Sequence, residues 1–324
     1  MRRVLPSLLA AVAVSAVLAG VLGHAGGTGT APAVVNEAAA AGEQIRAVTW
    51  NICGEAGSAF PDPGYCPHRN NPDAKVGAIR SLVDAHQLNV VMLQEMCSGP
   101  LVINQSAGNT SLLDRIQANL GSEWTTAWAE MPRPDGRSDC RSGLAGTLGV
   151  AIAVRGTISQ TTRRVLHVPQ TPRSPEGQGQ PSVLCAKVKN WSTEVCTTHL
   201  YNSGVGEAAY AAQIKALRAF LTRPVDAPQV VIGGDFNTRQ WDTWLKTMHD
   251  DYPECDEVSY RAGDAKRETT IGGTDPGKID YLFASAGFDS CDVRHAGFQD
   301  TLTSATPDGF SDHAPLIGYT LPLS

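Results

Sequence analysis

Val230-Val231-Ile232-Gly233-Gly234-Asp235-Phe236-Asn237 runs from three β-branched residues through two glycines into an acid, an aromatic ring and an amide. The apolar run reads as a buried strand. The glycines permit close backbone approach. Asp235 and Asn237 then fall at the strand's end, where a rigid element holds polar groups in place.

The same grammar recurs along the chain. Arg46 to Ile52 alternates in polarity like a strand and carries Asn51 near its end. Val90 to Gln94 is a short apolar strand followed by Glu95. Val183 to Lys189 and Ser192 to Thr198 read as a hairpin about Asn190-Trp191, the return strand leading into His199. That register sets Cys185 opposite Cys196. Leu148 to Val154 is a further strand, and Lys278 to Ala284, with Asp280 inside it, is another. Ser311-Asp312-His313 introduces the last, Ala314 to Leu321. Helical spacing appears in Lys75 to His86, in Leu112, Ile116 and Leu120, and in Glu207 to Leu221, while the prolines and glycines of Val168 to Pro181 mark a loop. Some strands follow one another as hairpins, which departs from the strict alternation of a parallel doubly wound sheet. Two packed sheets with helices outside fit this order.

The chemistry of the strand ends is coherent. Carboxylates and amides without thiols suit a hard divalent ion, and two histidines can serve as acid and base near neutral pH. Singly, each motif has a plain structural alternative: a strand-end hydrogen bond, a helix cap or a solvated acid. Together and in order, Thr49-Trp50-Asn51, Leu93-Gln94-Glu95, Thr198-His199-Leu200, Gly234-Asp235-Phe236-Asn237, Ile279-Asp280-Tyr281 and Ser311-Asp312-His313-Ala314-Pro315 resemble the endonuclease/exonuclease/phosphatase superfamily, in particular its deoxyribonuclease I-like branch.

That resemblance implies an α/β (α+β) four-layer sandwich, with two facing, mixed but mostly antiparallel sheets and helices outside. It implies a divalent-metal-dependent phosphoric ester hydrolase, with magnesium as cofactor and calcium or manganese as substitutes. Glu95 is then the principal metal ligand, helped by Asn51 and Asp312. Asp235 and Asn237 orient water and hold the phosphate. His313, oriented by Asp280, contacts the phosphate or acts as base, and His199 is the second histidine. By the same resemblance Glu130 pairs with His199 and Arg141 touches a phosphate; Arg141 reads equally well as a solvated loop residue. A nuclease acting on DNA is the leading expectation. A phospholipase C- or sphingomyelinase-like enzyme acting on a lipid headgroup is the alternative; Trp241 and Trp244 could serve it as membrane anchors, although their helical spacing makes packing the simpler reading. A non-catalytic binding or toxin subunit comes third. No stable protein partner is expected, and the chain reads as a monomer.

Length and composition frame these expectations. The chain has 324 residues, of which 42% are hydrophobic and 18% charged, enough for a sizeable core. Arg2 and Arg3 precede an apolar run from Leu5 to Leu22 and then small residues, the layout of a secretory signal peptide over 1–25. Residues 26–42 read as a low-complexity linker, and 43–324 as one domain of a secreted, extracellular protein. The net charge of −6 becomes −7 if the chain starts near Glu43, losing Arg2, Arg3 and Glu37. That gives little long-range attraction to nucleic acid, although Arg133, Arg137 and Arg141 form a local basic cluster. Eight cysteines follow the leader with no C-x-x-C pair, so disulfides are the natural reading. Besides Cys185–Cys196, order along the chain suggests Cys53–Cys66, Cys97–Cys140 and Cys255–Cys291. Cys53 to Pro72 is an insertion bordering Asn51 that could redirect substrate choice.

Overall fold

A computed structural model describes residues 43–54, 66–68, 71–98, 111–133, 140, 146–166, 180–201, 206–223, 229–239, 243–257, 267–270, 277–300 and 307–321. The strands are β1 (Arg46–Asn51), β2 (Val90–Cys97), β3 (Trp124–Glu130), β4 (Leu148–Arg155), β5 (Ile158–Val165), β6 (Ser182–Val188), β7 (Thr193–His199), β8 (Gln229–Asp235), β9 (Asp280–Ala284), β10 (Phe288–Val293) and β11 (Leu316–Thr320). The helices are α1 (Pro72–His86), α2 (Leu112–Leu120), α3 (Glu207–Leu221) and α4 (Lys246–Asp251). The strands form a six-stranded sheet, β10-β11-β1-β2-β4-β3, and a five-stranded sheet, β5-β6-β7-β8-β9. In each sheet one neighbouring pair is parallel, β1 with β2 and β7 with β8, and the other pairs are antiparallel.

Side-chain alternation builds four layers from this. Ala47, Val90, Met92, Val150 and Ile152 face Leu184, Val195, Val231 and Leu282 between the sheets. The intervening Val48, Trp50, Val91 and Leu93 turn outward against Ile79, Leu82 and Val83 of α1 and Leu112, Ile116 and Leu120 of α2. On the second sheet Cys185, Cys196, Val230, Ile232 and Phe283 turn outward against Tyr210, Ile214 and Leu217 of α3 and Met248 of α4. Every strand central to its sheet is thus buried on both faces. No helix among the described residues is long and apolar enough to cross a membrane.

Local chemistry sets the element boundaries. Helix α1 starts three residues before the apolar spacing predicts, because Asn71 caps it and Pro72 occupies a first-turn position where its missing N–H has no partner to lose. Helix α2 opens with a reciprocal capping box of Ser111 and Asp114. Cys97–Cys140, Cys185–Cys196 and Cys255–Cys291 are bonded as expected. The expected Cys53–Cys66 bond is not formed. The Cys66 sulfur is instead engaged by the Lys75 ammonium at 3.1 Å and donates to the Cys53 carbonyl.

The two sheets approach closely at Gly233. A Cβ there would lie 2.7 Å from Met92 Sδ, 2.8 Å from Leu282 Cδ2 and 2.9 Å from Thr49 Cβ. Gly233→Ala should therefore destabilise the fold by about 1–3 kcal/mol through overpacking. Urea unfolding measures this, and a stability equal to wild type would show that the sheets can part without cost.

Candidate active site

The inward-facing positions of the strands are apolar at one end and turn polar towards the other. Asn51 follows Ala47 and Thr49 on the inner face of β1, and Gln94 follows Val90 and Met92 on β2. His199 follows Val195 and Thr197 on β7, and Asp235 follows Val231 and Gly233 on β8. The parallel pairs bring these C-terminal ends to one edge. The antiparallel strands β9 and β11 enter the sheets from that edge, so Asp280 and His313 arrive there at the start of their strands. In the five-stranded sheet Val165, Ser182, His199, Asp235 and Asp280 are successive cross-strand partners.

Asp280 and His313 form the shortest ionisable contact of the set, Nδ1 to Oδ2 at 2.8 Å, and both are buried. His313 Nε2 then points towards Asp235 Oδ2 at 3.8 Å, and His199 Nε2 approaches the same oxygen at 3.5 Å. Burial pushes the His313 imidazole towards its neutral form. Asp280 outweighs it through its charge and hydrogen bond, with Asp235 and Asp312 adding to the effect, and holds His313 well above the ordinary histidine range. Burial, then the adjacent Asp280 charge, raise the Asp235 carboxyl, while His313, His199 and Asn51 pull it back.

Asn237 Nδ2 donates to the Leu200 carbonyl at 2.9 Å and lies 3.0 Å from His199 Nε2. The carbonyl contact identifies that atom as the nitrogen of the amide. His199 Nδ1 has no hydrogen-bond partner among the described residues. The expected pairing of Glu130 with His199 is therefore not made. Glu130 ends β3 in the other sheet, opposite Gly149. Ser182, the strand neighbour of His199, donates its hydroxyl to the Glu130 carbonyl and occupies the intervening ground.

Asn51 joins the two sheets at the edge. Its Oδ1 accepts the Cys53 N–H at 2.8 Å, which fixes the amide's orientation. Its Nδ2 donates to Glu95 Oε1 at 2.8 Å and to Asp235 Oδ2 at 3.1 Å. Asn51 thus presents N–H, not oxygen, to the carboxylates. Glu95 sits in a bulge of β2 between Leu93 and Met96, with φ 55°. A bulge re-aims one side chain out of the alternation, here towards Asn51. Ser311 Oγ donates to the Asn51 carbonyl at 2.6 Å and lies 3.3 Å from Asp312 Oδ1. Asp312 is thereby tethered to the same end of β1. Arg141 and Trp241 lie outside the described residues, and Trp244 packs against the outer cluster of the second sheet, 6.3 Å from the Tyr210 ring.

The donor set fits a hard divalent cation. One Asn51 amide draws Glu95 and Asp235 together, and donor atoms of Asp235, Asp280 and His313 lie within 4.8 Å of one another. Carboxylates gathered at one edge leave an excess of negative charge that such an ion offsets.

Residues 48–313 match the model of the Endonuclease/Exonuclease/phosphatase family. No curated protein matches the sequence. The fold is shared with an endonuclease/exonuclease/phosphatase from Bacteroides vulgatus at TM-score 0.56 and 17% identity, covering 87% of this chain and 100% of that one. It is also shared with D. rerio TDP2 in complex with single-strand DNA product, at TM-score 0.53 and 15% identity, covering 85% and 98%. A third similar structure is the Bacteroides thetaiotaomicron mannosyl-6-phosphatase, at TM-score 0.56 and 14% identity, covering 86% and 100%.

The His313 shift carries a pH consequence. Because the folded-state pKa is raised, its pairing stabilises the protein fully below the unfolded value of ~6.5 and is lost as pH rises through the folded value. Asp280→Asn should lower the His313 pKa and flatten this dependence. NMR titration of the imidazole in both proteins measures it, and an unmoved pKa would remove Asp280 as the cause.

Proposed function

The chain belongs to the endonuclease/exonuclease/phosphatase family, and we propose that it is a deoxyribonuclease I-like phosphodiesterase whose substrate is DNA. The observation that carries the reading is the buried Asp280–His313 pair, set against Asp235 at the edge where Glu95 and Asn51 meet. A phosphodiester needs charge neutralised on its oxygens and a water deprotonated beside them. His313 supplies the charge. Asp235, its basicity increased by burial, orients the water with Asn237 and takes its proton. His199, in its protonated form, hands a proton to the leaving oxygen. Glu95 is the principal holder of a divalent ion, magnesium in this reading, with Asn51 bracing it and Asp312 beside it. When bound, that ion stabilises the negative charge that develops on the phosphate.

A polynucleotide is favoured over a small ester by what lies along the strand row from His199. Ser182 and Val165 continue the row, and with Glu130, Arg163 and Arg164 they line a cavity of about 250 Å³. An arginine there, Arg163, suits a further phosphate. We also propose that residues 1–25 are a signal peptide, that 26–42 are a linker and that the protein is secreted. Three disulfides support an oxidising destination.

Nicking of supercoiled plasmid in magnesium plus calcium tests the reading. Wild type should relax the plasmid, chelator should stop it, and His313→Ala should act about 10²–10⁴-fold more slowly. Glu95→Gln should require far more metal for any residual rate. Nicking that survives chelation would contradict the metal reading, and hydrolysis of sphingomyelin without nicking would replace DNA with a lipid headgroup.

A further inference from the structure

A second cluster of metal-ligating side chains lies on the far face of the second sheet. His249 is in α4, and Glu254 and Glu257 follow it in the connection after the helix. His249 Nδ1 is 3.6 Å from Glu254 Oε2 and 3.6 Å from Glu257 Oε2, and donor atoms of all three lie within 4.8 Å of one another. The ring of His249 packs edge-on against Phe283, centroids 5.3 Å apart. Phe283 belongs to the outer cluster and Leu282 to the inner one. By strand alternation this cluster is therefore on the opposite face of β9 from Asp280.

The spacing decides what the three groups suit. At 3.6 Å the nitrogen–oxygen separations exceed the ~2.7–3.2 Å of a hydrogen bond. Two ligands of one ion, each bonded at ~2.0–2.2 Å, stand about 3.4 Å apart at a tetrahedral angle. The ligands are also held in advance. Glu254 pairs backbone to backbone with Phe283, and its Oε1 meets the buried Lys278 ammonium, which leaves Oε2 directed at His249. Cys255, the next residue, is fixed by its disulfide to Cys291 and by a 2.9 Å bond to the Leu282 carbonyl.

We propose that His249, Glu254 and Glu257 form a second divalent-cation site, separate from the phosphoester site. One imidazole and two carboxylates without a thiol suit an ion of the zinc class. His249 and Glu254 expose 7% and 0% of their side chains and Glu257 28%, so the ion is enclosed on two sides and reaches water past Glu257. Lys278 offsets part of the Glu254 charge, which moderates affinity. Bound there, the ion ties α4 to the segment that follows it.

Equilibrium dialysis of the purified protein against Zn²⁺, with metal content read by mass spectrometry, tests the site. Glu257→Gln and His249→Gln should each lose one equivalent of zinc relative to wild type, and Glu95→Gln should keep it. Zinc should raise the Tm of wild type and leave that of Glu257→Gln unmoved. Glu257 is the most exposed of the three, so its variant stays informative if the His249 variant fails to fold. Glu257→Gln should still nick plasmid in magnesium, which separates failure here from failure of the nuclease reading. Unchanged zinc content in Glu257→Gln would overturn the site.

Discussion

Burying the Asp280–His313 pair is unfavourable for either group alone and tolerable only because each neutralises the other at 2.8 Å. The rest of the edge is arranged to keep that pair in place. Thr269 Oγ1 accepts the Asp280 N–H at 3.1 Å. Trp50 Nε1 donates to the His313 carbonyl at 2.8 Å, and Ser311 Oγ meets the His313 N–H at 3.2 Å. Trp50 belongs to the outer core of the first sheet and Asp280 to the second sheet, so the pair also couples the two halves of the sandwich. Removing one partner leaves the other charged and buried, which makes the contact both a structural and a chemical constraint.

The polar edge is continuous with the apolar core beneath it. Gln94 Nε2 bridges Thr49 on its own sheet at 3.1 Å and Thr197 on the opposite sheet at 2.9 Å. Below this layer the faces are aliphatic. Above it stand Asn51, Asp235, His199 and Asp280. The close approach at Gly233 lets Asn51 of one sheet reach Asp235 of the other. Among the residues that leave the ordinary backbone regions at this edge are Glu95 at φ 55° and Asn237 at φ 51°. Such conformations cost about 1–3 kcal/mol for most side chains and less for asparagine. In each case the turn aims a functional side chain at a neighbour, Glu95 at Asn51 and Asn237 at His199.

The central architecture was legible in the sequence because its strands are apolar on both faces and end in distinctive polar residues. The strands that periodicity missed are β3, β5 and β10, and all three are sheet edges. Their exposed faces dilute the pattern: Ile158–Val165 has no fully buried residue. Positions along strands were readable, so Asn51, Glu95, His199, Asp235, Asn237, Asp280 and His313 were all placed at one edge. Pairings across the fold were not. Glu130 falls beside Ser182 instead of His199, because the offset between sheets is set by packing. Cys66 is claimed by Lys75, a buried lysine that no periodicity in α1 singles out.

The chemistry of this edge depends on Asp280 acting through His313. A double-mutant cycle on kcat/KM for plasmid or oligonucleotide cleavage, using Asp280→Asn, His313→Ala and the double variant, measures that coupling directly. Strong non-additivity is expected: Asp280→Asn slows the wild-type enzyme severely and adds little once His313 is gone. Multiplicative losses, with Asp280→Asn costing as much in the His313→Ala background as in wild type, would contradict it.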